Sequence, residues 1–202
     1  MKTISKILPQ KEANRIIEIY SKIQLEQFPK LISQKLEKDG KMVLEFEWIE
    51  GSVISAERMD EAFYELGRFH KAHMIGEIEN GFTTVCHGDF HRNNIIESSA
   101  GIRFVDVTFI KEDWNYSDLD YVDFLGVYDK AKYPWMIKAE NCLEAYHEGA
   151  GIESDKFNNE RLKMIIAKYS LERNIENGRK NKIDTSFEDK LLANLRITMN
   201  LN

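Results

Sequence analysis

Residues 85–109 read Val-Cys-His-Gly-Asp-Phe-His-Arg-Asn-Asn-Ile-Ile-Glu-Ser-Ser-Ala-Gly-Ile-Arg-Phe-Val-Asp-Val-Thr-Phe. Three polar residues, His87, Asp89 and Asn94, stand at fixed offsets, and Asp106 follows twelve positions after Asn94. Two short apolar runs on either side of a turn-like Glu-Ser-Ser-Ala-Gly predict a loop followed by a β-hairpin. We expect the loop and the hairpin to bring the side chains of Asp89, Asn94 and Asp106 together at one opening of the site. Two carboxylates and one amide oxygen form a hard ligand set, which suits Mg²⁺ carrying phosphates better than Zn²⁺.

The loop His87–Asn94 resembles the sequence His-Gly-Asp-x-His-x-x-Asn of the aminoglycoside phosphotransferase and choline kinase branch of protein-kinase-like proteins. The resemblance implies that Asp89 is the catalytic residue, which accepts or orients the proton of a substrate hydroxyl. It also implies ATP as the phosphoryl donor and Asn94 and Asp106 as ligands of Mg²⁺. His87 is implied as structural support for the metal-binding segment. The role of His91 stays open between a place near the metal or phosphates and a solvent-facing loop.

A second stretch, Glu47-Trp48-Ile49-Glu50-Gly51, resembles the hinge of the same family. The resemblance implies that Phe46 lies behind the adenine of the nucleotide. The backbone carbonyl of Glu47 and the N–H of Ile49 would then bond the adenine edge, since an extended linker leaves its backbone groups unpaired. A plain edge strand followed by a loop is the alternative interpretation.

Three further residues complete the implied site. Lys6 resembles the phosphate-binding lysine of the family, and Glu12 resembles the ion-pair partner of that lysine. The alternative is an exposed lysine and glutamate near a terminus, without a function. Asp118, in Ser117-Asp118-Leu119-Asp120, resembles the aspartate that braces the catalytic loop through backbone amides; a helix N-cap is the alternative, and both roles are structural.

The fold class predicted from these features is α+β, with a protein-kinase-like two-lobe architecture. A reduced N-terminal lobe of strands and one helix is expected over residues 1–49, and a mainly helical C-terminal lobe with the catalytic hairpin over residues 50–202. Apolar residues at helical spacing predict helices in six segments: 10–25, 59–73, 121–128, 135–146, 161–173 and 187–199.

The sequence also departs from the family. Only 46 residues precede Glu47, and Gly40 is the sole glycine among them, so we expect no glycine-rich phosphate loop. Nucleotide should then bind more weakly, or a partner chain must cover the nucleotide site. This departure makes a catalytically silent kinase-like protein, which binds a nucleotide or another ligand, the main alternative to a small-molecule kinase. A protein kinase ranks lower, because the loop lacks the Arg of His-Arg-Asp.

Bulk properties restrict the partners. The net charge of −6 argues against nucleic-acid binding and is compatible with a cationic or neutral small molecule that carries the acceptor hydroxyl. Acidic and aromatic residues are interleaved over residues 112–135, and together they could hold an ammonium group by charge and by cation–π contacts. The alternative is a core segment with a solvated acidic face. No apolar run approaches the roughly 20 residues of a membrane span. The N-terminus lacks signal-peptide features, so a cytoplasmic location is expected.

Cysteine usage adds one alternative for the metal. Cys86 and Cys142 are too few for a disulfide framework. A zinc site would combine Cys86, His87 and His91 with an aspartate. Adjacent residues of a strand point to opposite faces, so Cys86 and His87 are poorly placed to share one tetrahedral ion.

Overall fold

The computed structural model describes residues 2–23, 25–128, 136–137, 141–153 and 159–201, excluding the side chains of residues 200 and 201. These residues form a mixed α and β structure with three small sheets, five α-helices and four short 3₁₀ turns.

The N-terminal part is an antiparallel three-stranded sheet with one helix. Its strands are β1 (Thr3–Pro9), β2 (Leu31–Leu36) and β3 (Lys41–Glu47), in the order β1-β3-β2. Helix α1 (Gln10–Lys22) follows β1 without a loop, and it buries Ala13, Ile16 and Ile19, which recur at a spacing of three residues. That spacing produces the apolar stripe by which α1 packs against the core.

A second sheet holds the predicted hairpin. Its strands are β4 (Ser52–Val53), β7 (Ile95–Ser98) and β8 (Gly101–Phe104), in the order β4-β7-β8. Gly101 has a φ of +104°, and the Ser98 hydroxyl donates to its carbonyl at 2.8 Å. The turn residues therefore close the hairpin in the way that their types predict.

The third sheet has no counterpart in the sequence analysis. Its strands are β5 (Gly76–Ile78), β6 (Gly81–Cys86) and β9 (Lys111–Trp114), in the order β5-β6-β9. Strand β6 leads into the loop at His87, and β9 leads into the turn that holds Asp118. The two strands are antiparallel, with Cys86 opposite Lys111 and Thr83 opposite Trp114. The loop at His87 therefore leaves the sheet beside the start of β9, which follows the turn after Asp106, whereas β9 ends at the opposite end of the sheet.

Helix α2 (Met59–Ala72) packs closely against α3 (Cys142–Ala150). A Cβ on Gly67 would lie 2.2 Å from the Tyr146 carbonyl oxygen, and one on Gly149 would lie 2.0 Å from the Tyr64 carbonyl oxygen. The two glycines therefore allow the two helix backbones to touch.

The C-terminal helices are longer than predicted. They are α4 (Asn159–Lys180) and α5 (Ser186–Leu201), and they share a second apolar cluster. Its buried members are Ala167, Leu171, Ile175, Leu192 and Leu195. Among the described helices, none combines the length and apolar character needed to cross a membrane.

The helix predicted at 121–128 is wrong. These residues form turns, and Val122 makes an isolated bridge with Ile137. The Asp123 carboxylate accepts the backbone N–H groups of Val127 and Tyr128, both at 3.1 Å, so a side chain replaces the carbonyl partners of a helix. The helix predicted at 135–146 begins only at Cys142; residues 135 and 138–140 lie outside the described part of the chain.

Candidate active site

His87 ties the loop to the hairpin from a fully buried position. Its Nε2 donates to the Val105 carbonyl at 2.7 Å, and its Nδ1 accepts the Asp89 N–H at 3.2 Å. One ring nitrogen donates and the other accepts, so the imidazole is neutral. Burial lowers the pKa of His87, although the Asp118 carboxylate opposes this shift. The geometry is that of a structural support.

Asp118 holds the same loop from the other side. Its buried carboxylate accepts the backbone N–H of His87 at 2.6 Å and that of Gly88 at 2.7 Å. It also lies 3.2 Å from Nε2 of His70. Burial raises the pKa of Asp118, but the hydrogen bond with His70 and the loop amides outweigh burial, and the pKa is lowered. An ionised carboxylate thus fixes two consecutive amides of the loop.

Helix α4 supplies a contact that the sequence analysis missed. The Arg173 guanidinium donates to the Gly88 carbonyl at 2.7 Å and pairs with the buried Asp120 carboxylate. Burial raises the pKa of Asp120 to about 7, although Arg173 opposes this. Arg173 lies 85 residues from Gly88, and nothing in the sequence around it signals the contact.

Asp89 is half-buried and fully engaged. One carboxylate oxygen, Oδ1, accepts the Tyr121 hydroxyl at 2.7 Å, and Oδ2 accepts the Asn94 amide N–H at 3.1 Å. Nε2 of His91 lies 3.5 Å from Oδ2, which places His91 at the carboxylate. Burial raises the pKa of Asp89, but hydrogen bonds with His91 and Tyr121 prevail and lower the pKa to about 2. The carboxylate is therefore ionised at neutral pH.

Asn94 is oriented by the same contacts. Its amide nitrogen also donates to the Asp89 backbone carbonyl at 2.9 Å and lies 3.2 Å from Nε2 of His91. These hydrogen bonds all use the amide nitrogen, and within the described part of the chain none uses the amide oxygen. A free amide oxygen is a ligand of the type that Mg²⁺ accepts.

Asp106 has an unusual backbone conformation. Its φ of 61° and ψ of 69° are left-handed, a region that aspartate tolerates when its side chain bonds locally. Its Oδ1 accepts the Thr108 hydroxyl at 2.6 Å, and its Oδ2 accepts Nζ of Lys6 at 2.8 Å. Burial raises the pKa of Asp106, but these bonds with Lys6 and Thr108 outweigh burial and lower it.

Lys6, Asn94 and Asp106 line one pocket together with the hinge segment. The pocket has a volume of about 380 Å³, and its walls carry Ile4, Lys6, Pro29, Phe46, Glu47, Trp48, Ile49, Gly51, Val53, Asn94, Ile96, Val105, Asp106 and Val107. Such a volume lies within the usual range for small-molecule sites. A larger open groove of about 610 Å³, lined by charged residues of α2 and the hairpin turn, contains none of the predicted site residues.

The hinge segment lines this pocket, and one of its backbone donors has no partner within the described residues. The N–H of Glu47 bonds the Lys30 carbonyl at 2.8 Å, and the N–H of Trp48 bonds the Lys2 carbonyl at 3.1 Å. No hydrogen bond uses the Ile49 N–H within the described ranges of the chain. The chain position predicted for adenine recognition therefore has a free donor beside an apolar wall.

The predicted Lys6–Glu12 ion pair is not formed in this structure. Lys6 pairs with Asp106, and Glu12 lies exposed on the first turn of α1. Glu12 is exposed on α1, whereas the side chain of Arg15, one turn later, reaches the turn after Asp106. There Nη2 of Arg15 donates to the Thr108 carbonyl at 2.8 Å. Arg15 was missed, although its place three residues after Glu12 on the same helix was a usable signal.

The zinc set is also not assembled. Among the described residues, the one group of three metal-type side chains within 4.8 Å of one another is His70, Cys86 and Asp118. Both His70 nitrogens have partners, Asp118 at 3.2 Å and the Tyr146 hydroxyl at 2.9 Å. Burial raises the pKa of the Cys86 thiol well above its usual value, and its Sγ donates to the Trp114 carbonyl at 3.4 Å. Hydrogen bonds within the protein therefore satisfy this cluster.

The acidic and aromatic segment at 112–135 contributes mainly to the core. Tyr116, Asp118, Asp120 and Asp123 are buried, whereas Tyr121 reaches Asp89. Its members Asp129, Tyr133 and Trp135 lie outside the described residues. The position of Tyr121, three residues after Asp118, could have predicted that it lies near the loop, because Asp118 itself binds the loop.

Comparisons with known proteins agree with this geometry at the level of the fold. No protein-family model matches the chain, and no curated protein matches its sequence. Solved structures do match. A GDP complex of wild-type aminoglycoside 2'-phosphotransferase-IIIa has a TM-score of 0.57 and 10% identity, covering 93% of this chain and 81% of its own. A GDP and kanamycin complex of the same kind of enzyme also gives a TM-score of 0.57 at 10% identity, with coverages of 93% and 82%.

A choline kinase from Cryptosporidium parvum Iowa II matches with a TM-score of 0.54 and 10% identity, covering 80% of this chain and 69% of its own. At such identities the likeness concerns the fold alone. The chain has the protein-kinase-like fold of aminoglycoside phosphotransferases and choline kinase.

Proposed function

We propose that the protein is a phosphotransferase, which transfers the γ-phosphate of ATP to the hydroxyl of a small molecule. The observation that carries the proposal is the contact of Asp89 with Asn94, next to a pocket that Asn94 shares with Lys6 and Asp106. A hydroxyl-orienting carboxylate, two oxygen ligands and one cation then stand side by side. Phosphoryl transfer requires this combination, because the protein mainly positions groups and neutralises charge.

The donor set suits a nucleotide with magnesium. The apolar walls around Phe46 and the free N–H of Ile49 fit a base, and the carbonyl of Glu47 would accept from its edge. Lys6 would contact phosphate oxygens once Asp106 binds the metal instead of the lysine. Asn94 and Asp106 would hold Mg²⁺, and bound Mg²⁺ would neutralise charge on the phosphates.

Asp89 acts in this proposal by orientation more than by basicity. With a pKa of about 2 it is a weak base, so it accepts a hydrogen bond from the acceptor hydroxyl throughout the neutral range. Phosphoryl transfer through a loose transition state needs little proton abstraction before the phosphoryl group moves. An aligned, permanently ionised carboxylate therefore suffices.

The acceptor is a small alcohol, and the ionised carboxylate of Asp89 favours a cationic one. The similar aminoglycoside phosphotransferase structures contain GDP, one of them together with kanamycin, which makes GTP a second donor to be tested and an aminoglycoside a reasonable first acceptor. A partner chain over the nucleotide pocket, and the division into lobes at residues 49 and 50, stay predictions.

A thermal-shift titration tests nucleotide binding, and an ADP-release screen over hydroxylated metabolites tests transfer. We expect ATP with Mg²⁺ to raise the melting temperature, by the mass-action stabilisation of about 2.7 kcal/mol at a hundredfold excess over Kd. Asp106→Asn should remove the Mg²⁺-dependent part of the shift. No shift with ATP–Mg or GTP–Mg would support the silent binding protein instead.

Asp89→Asn should abolish transfer while leaving the nucleotide shift in place. Asp113→Asn is a matched control, because Asp113 also accepts a tyrosine hydroxyl and has a similar side-chain exposure, 23% against 21%. Unchanged transfer in Asp89→Asn would overturn the role of this carboxylate.

A further inference from the structure

The hydroxyl of Tyr121 makes the hydrogen bond that an acceptor hydroxyl is expected to make. It donates to Oδ1 of Asp89 at 2.7 Å, whereas the other oxygen, Oδ2, faces Asn94. Since Asn94 is on the proposed metal side, Oδ1 is the oxygen left for an acceptor. Tyr121 therefore occupies the acceptor side of the carboxylate.

Further contacts hold the Tyr121 side chain in this place. Its ring packs edge-on against His91, with centroids 5.4 Å apart. Burial, together with the bond to Asp89, raises the pKa of the Tyr121 phenol, so the hydroxyl remains a donor at any pH of interest. The contact is thus a lasting one rather than a feature of one protonation state.

The side chain of Tyr121 can move away from Asp89 without disturbing the fold. Its backbone carbonyl accepts the Ile137 N–H at 2.8 Å, so the main chain is anchored. The residue lies in a turn and its side chain is only partly buried. A rotation of the side chain would therefore release Asp89 without moving a helix.

We propose that Tyr121 is a specificity-determining gate, whose hydroxyl competes with the acceptor hydroxyl for Oδ1 of Asp89. This inference rests on the proposed function. An acceptor must displace the phenol to reach Asp89, so small weak acceptors, water above all, are kept out. The gate makes the site selective without changing the contacts to the nucleotide.

Nucleotide hydrolysis tests the gate, with water as the acceptor. In that reaction the water oxygen forms a bond to the γ-phosphorus of ATP. The bond between the γ-phosphorus and the oxygen that bridges the β- and γ-phosphates breaks. ADP and phosphate form, and the water proton passes by way of Asp89 to solvent. The measurement is ADP release from ATP–Mg without any added alcohol. We expect Tyr121→Phe to raise this rate about 3- to 10-fold, the factor for one lost competing hydrogen bond.

Matched variants separate the gate from general damage. Tyr169→Phe also removes a tyrosine hydroxyl from a carboxylate, that of Asp113 at 3.2 Å, and it should leave ADP release unchanged. Tyr121→Phe combined with Asp89→Asn should lose the gain. A structural defect would lower the rate, so an increase that depends on Asp89 supports the gate.

Three outcomes would overturn it. In the first, Tyr121→Phe binds ATP–Mg by thermal shift but releases ADP no faster than the unchanged protein, and the proposed function survives. In the second, no variant binds ATP–Mg, and the gate fails together with the proposed function. In the third, phosphate from γ-labelled ATP is found on Tyr121 itself, which would make the phenol an acceptor rather than a gate.

Discussion

At the scale of single residues, Gly88 shows how the loop depends on one missing side chain. Gly88 and Gly40 have the same φ of +81°. A Cβ on Gly88 would lie 2.2 Å from the Phe109 carbonyl oxygen, whereas nothing lies within 4 Å of one on Gly40. The two positions thus share the cost of a left-handed backbone, and only Gly88 adds a clash with backbone atoms.

We expect Gly40→Ala to cost about 1 kcal/mol of unfolding free energy, the strain of a left-handed alanine. Gly88→Ala should cost several kcal/mol, roughly 3 or more, because the loop must move away from the turn after Asp106. Urea denaturation of both variants measures the difference. Equal losses would show that the Gly88 loop relaxes freely, contrary to its fixed contacts with Asp118 and Arg173.

Asp106 combines a strained backbone with the proposed role of a metal ligand. Its left-handed backbone is stabilised by the bonds of its own carboxylate with Thr108. Residues held in sparsely populated conformations cluster at functional sites, where the surrounding structure determines them. The conformation directs the carboxylate to Lys6 and into the nucleotide pocket.

At the scale of elements, α1 is joined to the turn that follows Asp106 through Arg15 and not through Glu12. We expect Arg15→Ala to weaken binding of ATP–Mg about 5- to 30-fold, because a charged hydrogen bond to the Thr108 carbonyl is lost and the turn carrying Asp106 is released. Isothermal titration calorimetry measures the change in Kd.

Glu12→Gln is the control on the same helix, and it should bind ATP–Mg like the unchanged protein. An Arg15→Ala variant with unaltered affinity would show that α1 does not position the turn. A loss of affinity in Glu12→Gln would restore the ion pair that the sequence predicts.

The elements also show what the sequence could predict. The hairpin, α1 and α2 were predictable because apolar spacing and turn residues act locally. The sheet of β5, β6 and β9 was not, since its short strands pair across distant segments. The helix expected at 121–128 failed because the Asp123 side chain competes for the backbone donors that a helix would use.

The candidate site divides in the same way. Five residues of the site come from local sequence motifs: His87, Asp89, Asn94, Asp106 and Asp118. Direct hydrogen bonds link His87 with Asp118 and Asp89, and Asp89 with Asn94. Asp106 lies on the pocket wall together with Asn94. Arg15, Tyr121 and Arg173 reach the site from other elements. Their roles depend on packing, which a single sequence does not display.

At the scale of the whole molecule, buried histidines connect stability to pH. Burial lowers the pKa of His147, whose Nε2 pairs with the Tyr116 hydroxyl at 2.9 Å. As the pH falls through about 6.5, this histidine becomes protonated in the unfolded chain, whereas in the folded protein its imidazole stays neutral to lower pH. Stability from this residue is therefore complete above that pH and is lost as pH falls. Asp120 acts in the opposite sense, because its raised pKa lets the folded state take up a proton first.

Comparison of the unchanged protein with His147→Gln isolates the histidine contribution. We expect the unchanged protein to lose up to about 1.4 kcal/mol more per pH unit below pH 6.5 than the variant. Urea unfolding at pH 7.5, 6.5 and 5.5 provides the two curves. Parallel curves would mean that the folded imidazole protonates as readily as the unfolded one.

The residues of the site differ in how far apart they lie along the chain. The loop, the hairpin, the brace Asp118 and Tyr121 all belong to one continuous segment, residues 87–121, whereas Lys6 and Arg173 join it across 100 and 85 residues. Closing short loops costs less chain entropy than closing long ones, and local contacts form early in folding. The part of the site proposed to face the acceptor can therefore assemble first during folding. Lys6 from β1 and Arg173 from α4 then join it, so that the lysine proposed to bind phosphate is added last.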